Sequence, residues 1–130
     1  MVYYNMKHEE VHFTVRGLPP TSNHALLQAR GGRRYPSKEY KKWKELVKAL
    51  PNKKIDESEW YECERVYYFP LYYKNGKVRK KDHTNLNKYA DDELCKKLGI
   101  DDSRIKTSHD DKQDCKEGEE RTEWTIWVVG

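Results

Sequence analysis

Apolar and polar residues alternate over residues 11–16 (VHFTVR), as they do in a strand with one buried face. Gly17 and the pair Pro19-Pro20 end this pattern, because proline has no N–H to donate to a strand ladder. The next segment, residues 28–34, is rich in glycine and arginine. We therefore expect a first strand followed by a loop.

Two later segments have the spacing of amphipathic helices. The first follows Ser37 and ends before Pro51, and its apolar residues recur three or four positions apart: they are Tyr40, Trp43, Val47 and Leu50. The second is expected to run to Leu98, with Thr84 or Asn85 as its N-terminal cap and Gly99 as its C-terminal stop.

The remaining patterns predict strands. Residues 60–73 are rich in Tyr, Phe and Val, with Pro70 expected at an edge or bulge, and Asn75-Gly76 is a tight-turn signal. Residues 104–108 and 124–129 are further strand candidates, separated by a charged loop. The order strand–helix–strand–(strand)–helix–strand–strand predicts a small α/β (α+β) fold. We expect one domain over residues 1–130, with a mixed sheet and two main helices.

The composition indicates that aromatic residues supply much of the core. Only 35% of the 130 residues are hydrophobic and the mean hydropathy is −1.18, but there are ten Tyr and four Trp. Apolar runs are too short to span a membrane and the first ten residues lack a signal-peptide core, so we expect an intracellular protein. Cys63, Cys95 and Cys115 are odd in number and widely spaced, which argues against a disulfide framework or a zinc site.

Charge is distributed unevenly along the chain. Residues 30–54 contain ten Lys or Arg against two Glu, whereas residues 91–123 contain twelve acidic residues against seven basic ones. This polarity suits a protein that holds phosphate with one part and a cation with another. A surface that merely keeps the protein in solution is the alternative.

The second predicted helix has a polar face distinct from its apolar stripe. At about 100° per residue, Asn85 and Asp92 share an azimuth and Lys88 lies between them along the axis. Asp82 precedes the helix, and Asp101-Asp102 follow it directly before a strand. Converging carboxylates suit a hard cation such as Mg²⁺, which can activate water beside a phosphate. The alternative is a capped surface helix with an ordinary Lys–Asp pair.

Four motifs occur in an order that resembles the RusA family of endodeoxyribonucleases. They are residues 17–24 (GLPPTSNH), 30–40 (RGGRRYPSKEY), 79–94 (RKKDHTNLNKYADDEL) and 99–105 (GIDDSRI). The third is the most specific, since the family pattern is a basic run entering Asp-x-Asp-Asn-x-x-Lys-x-x-x-Asp-x-Leu. The resemblance extends over roughly residues 11 to 128.

The resemblance implies a Holliday junction resolvase, often encoded by bacteria or their phages. Such proteins act as homodimers, need Mg²⁺ or Mn²⁺, and nick symmetrically placed strands of a four-way DNA junction, in recombination and repair. Carried over by position, Asp82 and Asp102 are metal-binding carboxylates and Lys88 is the catalytic or phosphate-binding lysine. Less defined catalytic or metal-binding roles fall to Asn85, Asp92 and Asp101.

One position departs from the family pattern. Thr84 stands where the best-known form has a second catalytic Asp, and its hydroxyl brings no negative charge. Metal affinity could then fall, or Asp92 could take a larger share of the ligation. A non-catalytic junction-binding protein is the alternative function, and a nuclease acting on flaps or single strands is a weaker one.

DNA contacts are expected from two basic segments. The first is a loop with two glycines, and the second leads into Asp82; the candidates are Arg30, Arg33, Arg34, Lys77, Arg79, Lys80 and Lys81, together with Lys88. For the tyrosines at positions 67, 68, 72 and 73, packing in the core or at a dimer interface is favoured over base stacking.

Overall fold

The computed structural model describes residues 9–21, 25–80 and 84–129, with the side chain of Thr84 excepted. Two helices lie in these ranges, α1 (Lys38–Lys48) and α2 (Thr84–Leu98). The strands are β1 (Glu10–Val15), β2 (Leu26–Gln28), β3 (Arg34–Pro36), β4 (Trp60–Tyr68), β5 (Ile105–Gln113) and β6 (Arg121–Val129). A single 3-10 turn, Asp102–Arg104, joins α2 to β5.

Four of the strands form one mixed sheet in the order β1-β6-β4-β5. Strand β6 pairs antiparallel with β1 and with β4, while β4 and β5 are parallel. Parallel neighbours need a crossover connection, and α2 supplies it. The predicted mixed sheet with two helices is confirmed, and β4–α2–β5 is its βαβ unit.

The core lies between one face of this sheet and the two helices. Its largest fully buried side chains are mostly aromatic: Trp43, Trp124, Tyr61, Tyr67 and Phe13. The Phe13 and Trp124 rings stack with centroids 6.4 Å apart. This confirms the expectation that aromatic area compensates for the scarcity of aliphatic residues.

Helix α1 begins and ends where its sequence predicts. Ser37 is the N-cap, and its Oγ accepts a hydrogen bond from the Tyr40 N–H at 3.2 Å. Tyr40, Trp43 and Val47 face the core, and Leu50, beyond the C-terminus, packs against it.

Three predictions about loops and strands need correction. The glycine- and arginine-rich loop is the turn of a short hairpin, because the strands on either side of it, β2 and β3, pair antiparallel. Strand β4 ends at Tyr68, so Pro70 lies beyond the strand rather than at a bulge within it. Strand β5 runs to Gln113, because parallel pairing with β4 extends the ladder into residues that look like a charged loop.

Candidate active site

Helix α2 is the element that carries the predicted site. Leu86, Ala90 and Leu94 are fully buried and hold one side of the helix against the core. Thr84 and Asn85 lie in its first turn rather than ahead of it, so the prediction that one of them caps the helix is wrong. Gly99 ends the helix with φ +76°, a value that L side chains rarely adopt.

The reversal at Gly99 returns the chain toward the helix it has just left. The Gly99 N–H donates to the Lys96 carbonyl at 3.1 Å, and the Ile100 N–H donates to the Cys95 carbonyl at 3.0 Å. These bonds satisfy carbonyls at the helix end. They also place Asp101 and Asp102 beside the last two turns of α2.

Asp92 and Asp102 meet at this point. The pKa of Asp92 is raised to about 6, first by burial and then by a hydrogen bond with Asp102 and by the negative charge of that residue. Lys88, one turn earlier on the helix, acts on this pKa in the opposite direction. Two carboxyl groups this close favour positive charge between them.

Asp101 has a different role in the fold. Its Oδ1 accepts a hydrogen bond from the Ser103 N–H at 2.9 Å and so caps the 3-10 turn. Hydrogen bonds from Ser103 lower the pKa of Asp101. Asp101 therefore shapes the segment that delivers Asp102, although it borders the same cleft.

The carboxylates line an open cleft of about 340 Å³ between α1, α2 and the chain that follows α2. Its wall includes Tyr40 and Glu93, which the sequence pattern did not single out as site residues. The Tyr40 hydroxyl donates to Glu93 Oε1 at 3.2 Å, and Glu93 is only 9% exposed. Burial, followed by the charge of Glu93, raises the pKa of Tyr40. A signal was present, since Tyr40 belongs to the apolar stripe and carries a hydroxyl that needs a partner.

Other predicted site residues occupy less constrained positions. Lys88 is exposed, with its Nζ 5.5 Å from the centroid of the Tyr89 ring. Asn85 is half-buried in the first turn of α2. Asp82 and Lys81 lie outside the described residues, and the side chain of Thr84 is not described either.

The expected DNA contacts fall on two separate surface features. Arg30, Arg33 and Arg34 are exposed at the turn of the β2–β3 hairpin, where Gly31 and Gly32 have φ of +87° and +86°. Lys77 and Lys80 are exposed on the segment before α2. The Arg79 guanidinium is partly buried, 4.9 Å from the centroid of the Tyr73 ring.

Comparison with protein families agrees with this arrangement. The chain matches the family model Endodeoxyribonuclease RusA over residues 17–126 of 130. It belongs to the RusA family. A search of curated proteins found no match.

Membership in the RusA family connects the site to nuclease chemistry. RusA nucleases act on branched DNA junctions and generally depend on a divalent metal. Among the described residues, no group of three or more His, Cys, Asp or Glu side chains is placed to hold a metal ion. The Asp92–Asp102 pair nevertheless fits a divalent cation, since such an ion would offset the negative charge of two neighbouring carboxylates and prefers oxygen ligands.

One aspartate within the RusA motif, at a position that the family pattern leaves open, has a structural role. Asp91 is 9% exposed and accepts hydrogen bonds from Arg65 Nε at 2.8 Å and from Trp124 Nε1 at 3.0 Å. Burial alone would lower the pKa of Arg65, but the hydrogen bonds and charge of Asp91 outweigh it and raise that pKa. Adjacent aspartates on α2 thus face different surroundings, the interior for Asp91 and the cleft for Asp92.

The four tyrosines differ in their surroundings. Tyr67 is fully buried, as core packing requires, and Tyr68 is half-buried. Tyr72 and Tyr73 are each 52% exposed on the segment closed by the Tyr72–Val78 bridge. Core packing therefore explains Tyr67 and, at most, part of the Tyr68 side chain.

In the part of the chain that the structure describes, no helix is both long and apolar enough to cross a membrane.

Proposed function

We propose that this RusA family member is a divalent-metal-dependent endodeoxyribonuclease that resolves four-way DNA junctions by paired symmetric nicks. The observation that carries the proposal is the contact between Asp92 and Asp102, two carboxyl groups from separate elements that meet beside Lys88. Family membership supplies the substrate class.

Asp92 and Asp102 would hold Mg²⁺, or Mn²⁺ in its place, together with Asp82 and with Asp101 at the edge of the cleft. A cation bound there supplies Lewis-acid chemistry, polarising a phosphate oxygen and making water more acidic. The residues of the chain do the remaining work. Asp92, whose pKa is raised, must be ionised to bind the cation, and Lys88 acts on Asp92 in the opposite direction and is assigned to a phosphate oxygen.

Asn85 lies in the first turn of α2, where backbone N–H groups favour an anion. We assign it to orienting the scissile phosphate by hydrogen bonding. The assignment of Asp82 to metal binding rests on its position in the family motif alone. Hydrolysis forms a bond between water oxygen and phosphorus and breaks one P–O ester bond.

Symmetry supports a homodimer as the active form. A four-way junction has two-fold symmetry, and a C₂ dimer presents two equivalent sites to it. The exposed arginines of the β2–β3 turn and the basic segment from Lys77 to Lys81 are assigned to phosphate contacts on each arm.

A cleavage assay on synthetic four-way junctions tests the proposal. Purified protein is incubated with junction, flap and linear duplex in Mg²⁺, in Mn²⁺ and in EDTA, and the nicked strands are mapped. We expect paired nicks in the junction that need the metal. Faster cutting of flaps would identify a different nuclease. Junction binding without nicks in either metal would favour a non-catalytic binding protein, the function suggested by Thr84.

A further inference from the structure

A group of buried and half-buried side chains with polar atoms lies beneath α2, about 100° around the helix from Asp92. We call it the Arg65 cluster, and its members are Arg65, Tyr67, Asn87, Asp91, Asp110 and Trp124. Arg65 is only 4% exposed, and its guanidinium forms ion pairs with Asp91 at 2.5 Å and with Asp110 at 2.7 Å.

The remaining hydrogen bonds close the cluster. Asn87 Nδ2 donates to Asp110 Oδ2 at 2.8 Å, and the Tyr67 hydroxyl donates to Asn87 Oδ1 at 2.7 Å. Trp124 Nε1 donates to Asp91. Strand register explains the meeting of these residues, because Arg65 on β4 pairs with Asp110 on β5 and with Trp124 on β6. The three side chains therefore form one row across the face of the sheet that α2 covers.

Stability alone is a poor reason for such a cluster. Burying one guanidinium and two carboxylates costs desolvation energy, and well-packed apolar residues of similar volume often replace buried ion pairs without loss of stability. Apolar replacements lack the directional hydrogen bonds that fix the orientation of their partners. The planar guanidinium of an arginine donates good hydrogen bonds to a carboxylate in one orientation only. The apolar packing of Leu86, Ala90 and Leu94 imposes no such orientation.

One of the carboxylates that Arg65 holds belongs to α2, which carries Asp92, and the other belongs to β5, which follows the turn that carries Asp102. Asp91 is the neighbour of Asp92 on α2, and Asp110 lies on the strand that Asp102 precedes. Asn87 adds a second direct bond from α2 to Asp110. The rotation and axial position of α2 relative to β5 are thereby set from the buried side of the helix.

We propose that Arg65 is a positioning residue of the nuclease site, fixing α2 against β5 through Asp91 and Asp110 and so setting the separation of Asp92 and Asp102. This inference rests on the proposed function for its catalytic consequence. Its structural content, a fixed relation between two elements, does not depend on it.

The test replaces the charged groups of the cluster by neutral residues of similar volume, in the triple variant Arg65→Met/Asp91→Asn/Asp110→Asn, which leaves amide oxygens to accept from Trp124 Nε1 and Asn87 Nδ2. We expect a folded protein with a Tm close to that of the wild type. Affinity for Mn²⁺, measured by calorimetry, and kcat on junctions should each fall by about 10–100-fold, as changes behind a metal site commonly do. KM for the junction should stay the same, since the DNA-contacting surface is untouched.

A matched control separates positioning from stability. Val11→Ala removes core volume on β1, distant in the sheet from β5, and should lower Tm while leaving kcat and Mn²⁺ affinity unchanged. The single variant Arg65→Lys keeps the charge without the fork and should give an intermediate loss. Wild-type kcat and Mn²⁺ affinity in the triple variant would overturn the proposal.

A third measurement works whether or not the protein cleaves DNA. Amide NMR shifts of residues 101–103 are compared between the wild type and the triple variant without metal. These residues make no contact with the cluster among the described hydrogen bonds and ion pairs. If the chemical shifts of these amides differ between the two proteins, α2 has moved relative to β5, as the proposal expects. Identical chemical shifts contradict the proposal. A wild type that neither binds Mn²⁺ nor nicks junctions would refute the proposed function, and this comparison would still decide the positioning.

Discussion

Asp92 and Asp102 lie ten positions apart in the sequence, and their carboxyl groups come within hydrogen-bonding reach of each other in the cleft beside α2. The contact depends on Gly99, whose left-handed backbone reverses the chain. Two like charges this close are unfavourable at neutral pH without a cation. Changing either residue should therefore affect the stability of the fold and the binding of metal and DNA in different ways, which can be measured separately.

Neutralising either member of the pair should remove nuclease activity without removing DNA binding. We expect Asp102→Asn and Asp92→Asn each to reduce kcat by at least about 100-fold, with Mn²⁺ affinity reduced in parallel. Junction affinity should hold or increase, because a negative charge near the phosphates is gone. Gel-shift and nicking assays on the same preparations measure both. Asp114→Asn, a change outside the cleft, is the control, and parallel loss of binding and cutting would indicate misfolding instead.

The same pair should make the metal-free protein sensitive to pH. The folded-state pKa of Asp92 is raised from 3.8 to about 6, so the folded state binds this proton more tightly than the unfolded state does. The resulting stability is present below about pH 4 and is lost as pH rises through about 6. Asp92→Asn should therefore match the wild type near pH 4 and exceed its Tm at pH 7.5.

Asp101 is a control for this pH dependence, because its pKa is shifted in the opposite direction to that of Asp92. Hydrogen bonds from Ser103 lower its pKa, so it stabilises the fold above its unfolded-state pKa and loses that effect as pH falls. Asp101→Asn should consequently lower Tm at pH 7.5, by an amount that shrinks as pH falls below 3.8. Thermal denaturation in EDTA over this range measures both variants. Equal shifts at every pH for Asp92→Asn would contradict the paired-carboxyl interpretation.

The sequence predicted those parts of the fold that follow from local periodicity. The 3.6-residue spacing located α1 and α2, and the Gly99 stop was correct because only glycine suits that backbone. The length of β5 could not be predicted, since its polar residues become a strand only by pairing with β4. Spacing on α2 placed Asp92 on the polar face, but it could not distinguish an exposed Asp91 from one with a buried partner. That distinction depends on Arg65, 26 residues earlier, being placed under the helix by the sheet.

The arginines of the β2–β3 turn should govern salt-dependent DNA affinity. For Arg30→Gln/Arg33→Gln/Arg34→Gln we expect junction affinity to fall and the slope of log K against log salt to shrink by roughly one for each phosphate that is no longer neutralised. The kcat at saturating junction should change little. Lys38→Gln/Lys41→Gln/Lys42→Gln removes three exposed charges from α1 and is the matched control. An identical salt slope for both triples would place the phosphate-binding residues elsewhere.

Thr84 provides the sharpest test of how much charge the site requires. The family pattern has an Asp at this position, one residue before Asn85, and a threonine there leaves the predicted metal site with one negative charge fewer. Thr84→Asp should therefore tighten Mn²⁺ binding, by about tenfold or roughly 1.4 kcal/mol, and should raise kcat at limiting Mg²⁺. Thr84→Asn adds an oxygen ligand of similar shape without charge and is the control. Calorimetry and metal-titrated nicking assays compare the three proteins. If Thr84→Asp binds Mn²⁺ no better than Thr84→Asn, the side chain at position 84 does not belong to the metal site, and the missing carboxylate is not what limits this nuclease.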